Sequence, residues 1–159
     1  MNNEYIEDVY ERRSDMVYRV CFSYMKNAPE AEDVVADVFT KLFYKSGGFK
    51  SDEHEKAWLL RTAINQCKNS LKHWRRKSSN IDDYRNLAEE PPHEFQQEIQ
   101  MLELVLALPM RYKDVIYLYY YEGYATREIA EILQKPHSTV RYHMREARRL
   151  LKEQLGYEE

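Results

Sequence analysis

Arg141, Arg145, Arg148 and Lys152 follow one another at spacings of 4, 3 and 4, which on an α-helix aligns four cations along one face. One residue before each stand Val140, Met144, Ala147 and Leu151, so the same helix carries an apolar stripe beside the basic one. Guanidinium groups reach guanine edges and phosphates, and the nearby Ser138, Thr139 and Tyr142 add hydrogen-bonding groups. The chemistry this pattern suits is recognition of a polyanion. A second pair of stripes repeats the arrangement: Leu60, Cys67, Leu71 and Trp74 are each followed by a cation, Arg61, Lys68, Lys72 and Arg75, and the helix ends in the run Arg75-Arg76-Lys77.

Bond-making chemistry has no foothold. There is no glycine-rich phosphate loop, and the five histidines (54, 73, 93, 137 and 143) are scattered through loops and basic faces. Cys21 and Cys67 stand far apart with neither a CxxC nor a paired histidine, so they read as two buried thiols rather than a disulfide or zinc framework. No enzyme activity, metal or cofactor is expected. No apolar run approaches the roughly 20 residues of a membrane span. The start, MNNEYIEDVYERR, is acidic where a secretory signal would be basic and then apolar. A cytoplasmic protein without membrane insertion is expected.

The elements that must carry these faces are helices. With 43% apolar residues and only four glycines in 159, turns are scarce and an all-α fold is predicted. Ile6, Val9, Tyr10, Val17, Val20, Cys21 and Tyr24 place a first helix over about 4–26, which Asn27-Ala28-Pro29 interrupts. Ala31, Val34, Val35, Val38, Phe39, Leu42 and Phe43 keep helical spacing over 30–44, with acids in the first turns where the helix dipole favours them. After the loop 45–55, which offers Ser51 or Asp52 as a cap, a third helix runs over about 53–76.

Residues 78–94 lose periodicity, gather acids and include Pro91-Pro92, the signature of a flexible linker. Charge alternates accordingly. Residues 1–59 hold 8 Lys/Arg against 12 Asp/Glu, 60–85 hold 7 against 2, 86–108 hold 0 against 5, and 109–159 hold 9 against 8. The net charge of −3 therefore conceals basic patches, and position outweighs the sum for a polyanion-binding face. Two small helical domains follow, 1–77 and 95–159, joined by an acidic linker. In the second, one helix ends before Pro109 and another ends at Gly123.

In 126–149 two short helices flank a break at Gln134-Lys135-Pro136-His137. Thr126 is placed as a cap, Ile129, Ala130 and Leu133 face inward, and the second helix starts at Ser138 or Thr139. Ala130 allows steep, close crossing of the two helices. A helical hairpin with solvated arginines shares the charge pattern, but two buried stripes, a short break and an alanine at the crossing favour a helix-turn-helix, which offers its second helix to the DNA major groove. For His137 and His143, pH-dependent modulation of DNA binding stands beside simple solvation.

Three blocks carry a resemblance across nearly the whole chain: PEAEDVVADVFTKLF, AWLLRTAINQCKNSLKHWRRK, and LALPMRYKDVIYLYYYEGYATREIAEILQKPHSTVRYHMREARRLL. In this order and with this gap they resemble the extracytoplasmic-function group of sigma-70 family RNA polymerase sigma factors. The resemblance implies a sigma region 2-like domain (1–77) for core polymerase and the minus-ten element and a region 4-like domain (95–159) for the minus-thirty-five element. Bacterial core RNA polymerase, promoter DNA and an anti-sigma factor are the implied partners.

The family's docking helix puts Glu32, Asp33, Asp37 and Phe39 at the core polymerase, with plain core packing an equal reading for Phe39. Opening the minus-ten duplex needs a positive face for phosphates and a surface for an unstacked base. Arg61, Asn65, Lys68, Lys72, Arg75 and Arg76 suit the first, Phe49 and Lys50 the second, and Trp58 is expected in the core. Ser138, Thr139, Arg141, Tyr142, Arg145 and Arg148 are the minus-thirty-five candidates, Arg148 suiting a phosphate or a core-side role as well as base reading. Gln134 and Glu146 stand where the family commonly has glycine and arginine, and Glu146 must pair with Arg149 or Arg141, or face away, to avoid repelling phosphates. The acidic linker resembles the segment such factors thread through the polymerase cleft, although a solvated spacer explains the same composition. A stand-alone helix-turn-helix regulator, which predicts a dimer on a palindromic operator, and an interaction module with incidental basic stripes are the competing readings.

Overall fold

The computed structural model describes residues 3–77 and 103–156, with the side chains of 74–77 left out. Among the described residues the regular structure is entirely helical, and the chain divides into two compact units, one on each side of the acidic segment. The expected linker, 78–94, and most of the helix expected from Phe95 lie outside the described residues, which resume with a helical stretch at 103–106.

In the N-terminal unit α1 (Asn3–Met25), α2 (Ala28–Tyr44) and α3 (Asp52–Lys77) pack pairwise as a three-helix bundle. Val9, Val17, Val20 and Cys21 of α1, Ala31, Val38 and Leu42 of α2, and Leu59, Leu60, Ala63, Ile64 and Cys67 of α3 are wholly excluded from solvent. The thiols of Cys21 and Cys67 are therefore buried, and neither forms a disulfide. The break between α1 and α2 is chemically defined. Lys26 takes a left-handed φ of 58°, and the buried Asn27 caps α2 by accepting the Glu30 N–H at 3.0 Å, with Pro29 in the first turn. Ser51 caps α3 through its hydroxyl, which accepts the His54 N–H at 3.1 Å.

Helical spacing overstates the core at two positions. Tyr10 is 50% exposed and Phe43 44% exposed, each at the edge of its apolar stripe. Tyr10 instead lays its ring edge-on to Phe39 at 4.9 Å, and Phe43 meets Tyr44 at 5.1 Å.

A polar clamp that no spacing announces fastens α1 to the start of α3. Glu55 is only 5% exposed, and its carboxylate accepts from Tyr5 Oη at 2.7 Å, Arg12 at 3.1 Å and Arg13 at 3.4 Å. Asp52 adds Arg13 at 2.9 Å and Arg12 at 3.4 Å, and Asp8 holds Arg12 from its own helix at 2.9 Å. Burial, then the hydrogen bond and charge of Glu55, push the Tyr5 hydroxyl up to about 12.

The C-terminal unit contains α4 (Met110–Ile116), α5 (Thr126–Leu133) and α6 (His137–Leu155), with α4 and α5 both packed on α6. The helix expected to run on to Gly123 does not stay α-helical. At Tyr117–Tyr121 it widens into a π-helical turn, closed by the Glu122 N–H on the Tyr117 carbonyl at 3.3 Å. The wider turn keeps Tyr117 and Leu118 buried and puts Tyr119, Tyr120 and Tyr121 at the surface.

Candidate nucleic-acid interface

The helix-turn-helix starts one residue before its expected cap. Ala125 is the N-cap of α5, and the Glu128 carboxylate accepts the Ala125 N–H at 2.9 Å. Alanine has no side-chain acceptor, so only this half of a capping box can form. Thr126 lies in the first turn instead, where its hydroxyl meets His137 Nε2 at 2.8 Å.

The turn itself is a Schellman motif. Gln134 takes φ 55° and ψ 47°, the Lys135 N–H donates to the Ala130 carbonyl at 3.0 Å, and the Gln134 N–H to that of Glu131 at 3.3 Å. Here a side-chain-bearing residue occupies the left-handed position that glycine fills most cheaply. Pro136 then serves as N-cap of α6, which begins at His137, one or two residues earlier than the hydroxyl residues suggested. Proline has fixed φ and no N–H to leave unsatisfied, which suits this entry into a helix.

Ile129 and Ala130 are buried as expected, but Ile132 rather than Leu133 completes the inner face of α5. On α6, Val140, Met144 and Ala147 are buried, whereas Leu151 is only partly covered near the helix end. This seating turns Ser138, Arg141, Tyr142 and Arg145 outward, Tyr142 at 52% exposure, and leaves Thr139 half-buried. An open groove of about 1430 Å³ runs beside them, with Thr126, Arg141, Arg145 and Arg148 along its walls.

The remaining charges of α6 are engaged locally. Arg148 donates from Nε to Tyr120 Oη at 3.2 Å, and its guanidinium lies 5.5 Å from the Tyr119 ring centre and 5.9 Å from that of Tyr120. The π-helical turn thus holds Arg148 to one side. Glu146 pairs with Arg149 at 3.0 Å, and Arg149 also meets Glu153 at 2.8 Å. The acid within the basic stripe is neutralised by its own helix and does not face Arg141.

The two histidines separate. His143 sets its ring against Tyr112 at 5.6 Å and encloses Nδ1 without a hydrogen-bond partner among the described residues. Burial, then Lys135 and Arg111, hold its pKa below the ordinary imidazole value. His137 stands at the head of α6, partly exposed and bonded to Thr126.

In the N-terminal unit Glu32, Asp33 and Asp37 lie exposed on α2, Asp37 accepting from Gln66 Nε2 at 3.3 Å. Phe39 does not join them at the surface. It is 7% exposed and packs against Tyr10, as the core reading expects.

The loop 45–51 and the first turns of α3 form an aromatic cluster. Phe49 lies 5.7 Å from Trp58 and 5.3 Å from His54, and Lys45 Nζ sits 4.6 Å from the Phe49 ring centre. The Lys50 N–H donates to His54 Nδ1 at 3.2 Å, tying loop to helix, and the Lys50 side chain is exposed. Trp58, expected in the core, is only half-buried, with Phe49 beside it and Lys45 Nζ 6.0 Å from its ring centre. Together Phe49 and Trp58 make a partly open ring surface of the kind on which an unstacked base packs. Farther along α3, Asn65 and Lys72 are exposed and Arg61 and Lys68 half-buried. Arg75 and Arg76 continue the helix, with side chains outside the described residues.

Two family models match this chain: sigma-70 region 2 over residues 9–79, and sigma-70 region 4 over residues 98–151, together more than three quarters of its length. Among curated proteins it is 26% identical to the RNA polymerase sigma factor SigV of Bacillus subtilis, over 89% of this chain and 86% of that one. It is 27% identical to the ECF RNA polymerase sigma factor SigW of the same organism, over 94% and 87%. Among solved structures, the sigma factor RpoE of Bartonella quintana, in complex with the anti-sigma factor NepR, matches with a TM-score of 0.76 at 19% identity, over 96% of this chain and 98% of that one. CnrH in complex with the cytosolic domain of CnrY matches with a TM-score of 0.68 at 19% identity, over 98% and 90%. At those identities the structural likeness speaks to the fold.

Proposed function

The chain belongs to the extracytoplasmic-function group of the sigma-70 family, the RNA polymerase sigma factors, and from that premise we propose how its two units divide the work of initiation. It directs core RNA polymerase to specific promoters and assists their melting. The N-terminal domain, 1–77, takes the minus-ten element and the polymerase, the domain 95–159 takes the minus-thirty-five element, and 78–94 links them. Sigma factors perform no covalent chemistry, and we assign none to this chain. Among the described residues no helix is long and apolar enough to cross a membrane, and we place the protein in the cytoplasm with its polymerase.

The observation that carries the upstream assignment is the outward row of Arg141, Tyr142 and Arg145 on a helix whose opposite face is locked into the unit. Neither arginine is committed to an ion pair among the described residues, so both remain available to guanine edges and phosphates. Ser138 and Thr139 lie at the end that enters the groove first. Arg148, held by its tyrosines, contributes a positive field from the flank rather than base reading.

For the minus-ten element, Phe49 and Trp58 form the platform for a displaced base, and Lys50, Arg61, Asn65, Lys68 and Lys72, continued by Arg75 and Arg76, follow the backbone. Glu32, Asp33 and Asp37 present the acidic face for the polymerase. The solved relatives each hold an anti-sigma factor or a cytosolic partner domain, and an anti-sigma factor is the proposed regulator here too.

Run-off transcription with purified core polymerase on genomic fragments tests this reading. Discrete transcripts should require the protein, and Arg141→Ala with Arg145→Ala should weaken promoter binding by about 1–3 kcal/mol per base-reading arginine. Specific DNA binding without polymerase, and no transcript with it, would overturn the reading in favour of a stand-alone regulator.

A further inference from the structure

His137 joins the two halves of the helix-turn-helix at the end that meets DNA. Its Nε2 lies 2.8 Å from Thr126 Oγ1, so the first turn of α5 and the first residue of α6 are tied side chain to side chain. The charges that act on its ring are Arg127, beside Thr126 on α5, and Arg141, one turn along α6, and both are positive. The amino-terminal ends of both helices add partial positive charge. A neutral imidazole relieves this crowding in the free protein, and burial, then Arg127 and Arg141, accordingly hold its pKa below the ordinary value.

Resting on the reading of α5 and α6 as the promoter-facing pair, we propose that His137 is a proton-linked phosphate contact, taking up a proton when the helix-turn-helix binds DNA. A phosphate brought between Arg127 and Arg141 supplies the negative charge the cluster lacks, and opposite charge favours the imidazolium. The Thr126 contact survives the change because a hydroxyl both donates and accepts. With the ring neutral and protonated on Nδ1, Thr126 donates to Nε2. With the ring charged, Nε2–H donates to Thr126 Oγ1, which frees the hydroxyl hydrogen to turn to the phosphate while Nδ1–H is a second donor. The proton comes from solvent and returns there on release. Thr126 is the positioning residue, and His137 makes the contact.

The test uses holoenzyme assembled from the full-length chain and core polymerase, on a promoter fragment that yields a transcript dependent on this chain. Equilibrium binding is measured from pH 5.5 to 8.0 for wild type, His137→Gln and His137→Lys. Wild type should bind several-fold tighter than His137→Gln at pH 5.5 and equally at pH 8.0, whereas His137→Lys should hold the low-pH advantage at every pH. At pH 5.5 the salt dependence of His137→Gln should also be shallower than that of wild type by about 0.9 in the log–log slope, the signature of one lost phosphate contact. A ratio of wild type to His137→Gln that does not change with pH, or salt slopes that coincide, overturns the proposal even if His137→Gln weakens binding, since a packing role has no reason to titrate. Failure of every fragment to give a dependent transcript instead overturns the reading of the chain on which the proposal rests.

Discussion

Replacing Glu55 with alanine should unfold the N-terminal unit far more readily than any exposed charge substitution. The carboxylate is 5% exposed and takes hydrogen bonds from Tyr5, Arg12 and Arg13, so its removal takes away the buried acceptor that these three side chains share. Breaking a buried ion pair by deleting one partner costs about 3–5 kcal/mol. Two features lower that figure here. The Arg12 side chain is 40% exposed and keeps Asp8 and Asp52, and Arg13, whose side chain is 14% exposed, keeps Asp52 at 2.9 Å. A loss of about 2–3 kcal/mol remains, which for a unit of this size lowers the melting temperature by about 10–20 °C. Both tryptophans, Trp58 and Trp74, belong to this unit, so their fluorescence reports its melting without interference from the other. Glu55→Gln keeps an acceptor for Tyr5 and should fall between wild type and Glu55→Ala. Asp8→Ala, which removes a carboxylate whose side chain is 60% exposed, should cost no more than about 1 kcal/mol. If Glu55→Ala melts within about 2 °C of wild type, the clamp does not hold α1 to α3 and the reasoning fails.

The C-terminal unit carries two further expectations, both readable by hydrogen exchange of its α6 amides. Asp114 is wholly buried, and burial pushes its carboxyl up to about 7 against a partial offset from Lys135. Its folded pKa is therefore above its unfolded one, so the folded state binds the proton more tightly. Its contribution to stability is fully present below about pH 4 and is lost as pH rises towards about 7. Protection of α6 in wild type should therefore fall across that window relative to Asp114→Asn, which shares the opposing titration of His143; a wild-type to variant ratio that does not change with pH would refute the assignment. Gln134→Gly should stabilise the same unit by about 0.5–1 kcal/mol, since the left-handed backbone strains a residue with a Cβ and the exposed side chain has little packing to lose. Unchanged or lower protection would mean that the turn is not strained.

Periodicity, with proline and glycine breaks, located most of the described helices because burying one face of a helix requires apolar residues at 3.6-residue intervals, and residues 31–42 and 140–147 supply them almost without error. The same spacing, displaced by one residue, revealed the basic faces, and the order of three motif blocks indicated the family. What periodicity could not convey was anything set by contacts between distant segments. Tyr10 and Phe43 satisfy the helical pattern yet are exposed, and Trp58 reads as core yet is only half-buried beside Phe49. Nothing near Glu55 in the sequence shows that Tyr5, Arg12 and Arg13, more than forty residues away, converge on it.

The functional surface divides in the same way. Arg141, Tyr142 and Arg145 were legible as an outward row because their spacing is local to one helix. The sequence offered alternatives for its charges, Glu146 with Arg149 or Arg141 and Arg148 at a phosphate or on the core side, without choosing among them. Glu146 and Arg149 neutralise each other within α6, but Arg148 is drawn aside only because a π-helical turn twenty-eight residues earlier puts Tyr119 and Tyr120 within reach. Likewise His137 and His143 are equivalent letters in one basic segment until tertiary packing presses one against Tyr112 and ties the other to Thr126. The sequence by itself determined most of the described helices, their main apolar and basic stripes, and the family, since those depend on neighbours along the chain. Only the tertiary structure decided which ionisable groups are paired, buried or exposed, because electrostatic and hydrogen-bond partners are set by proximity in space.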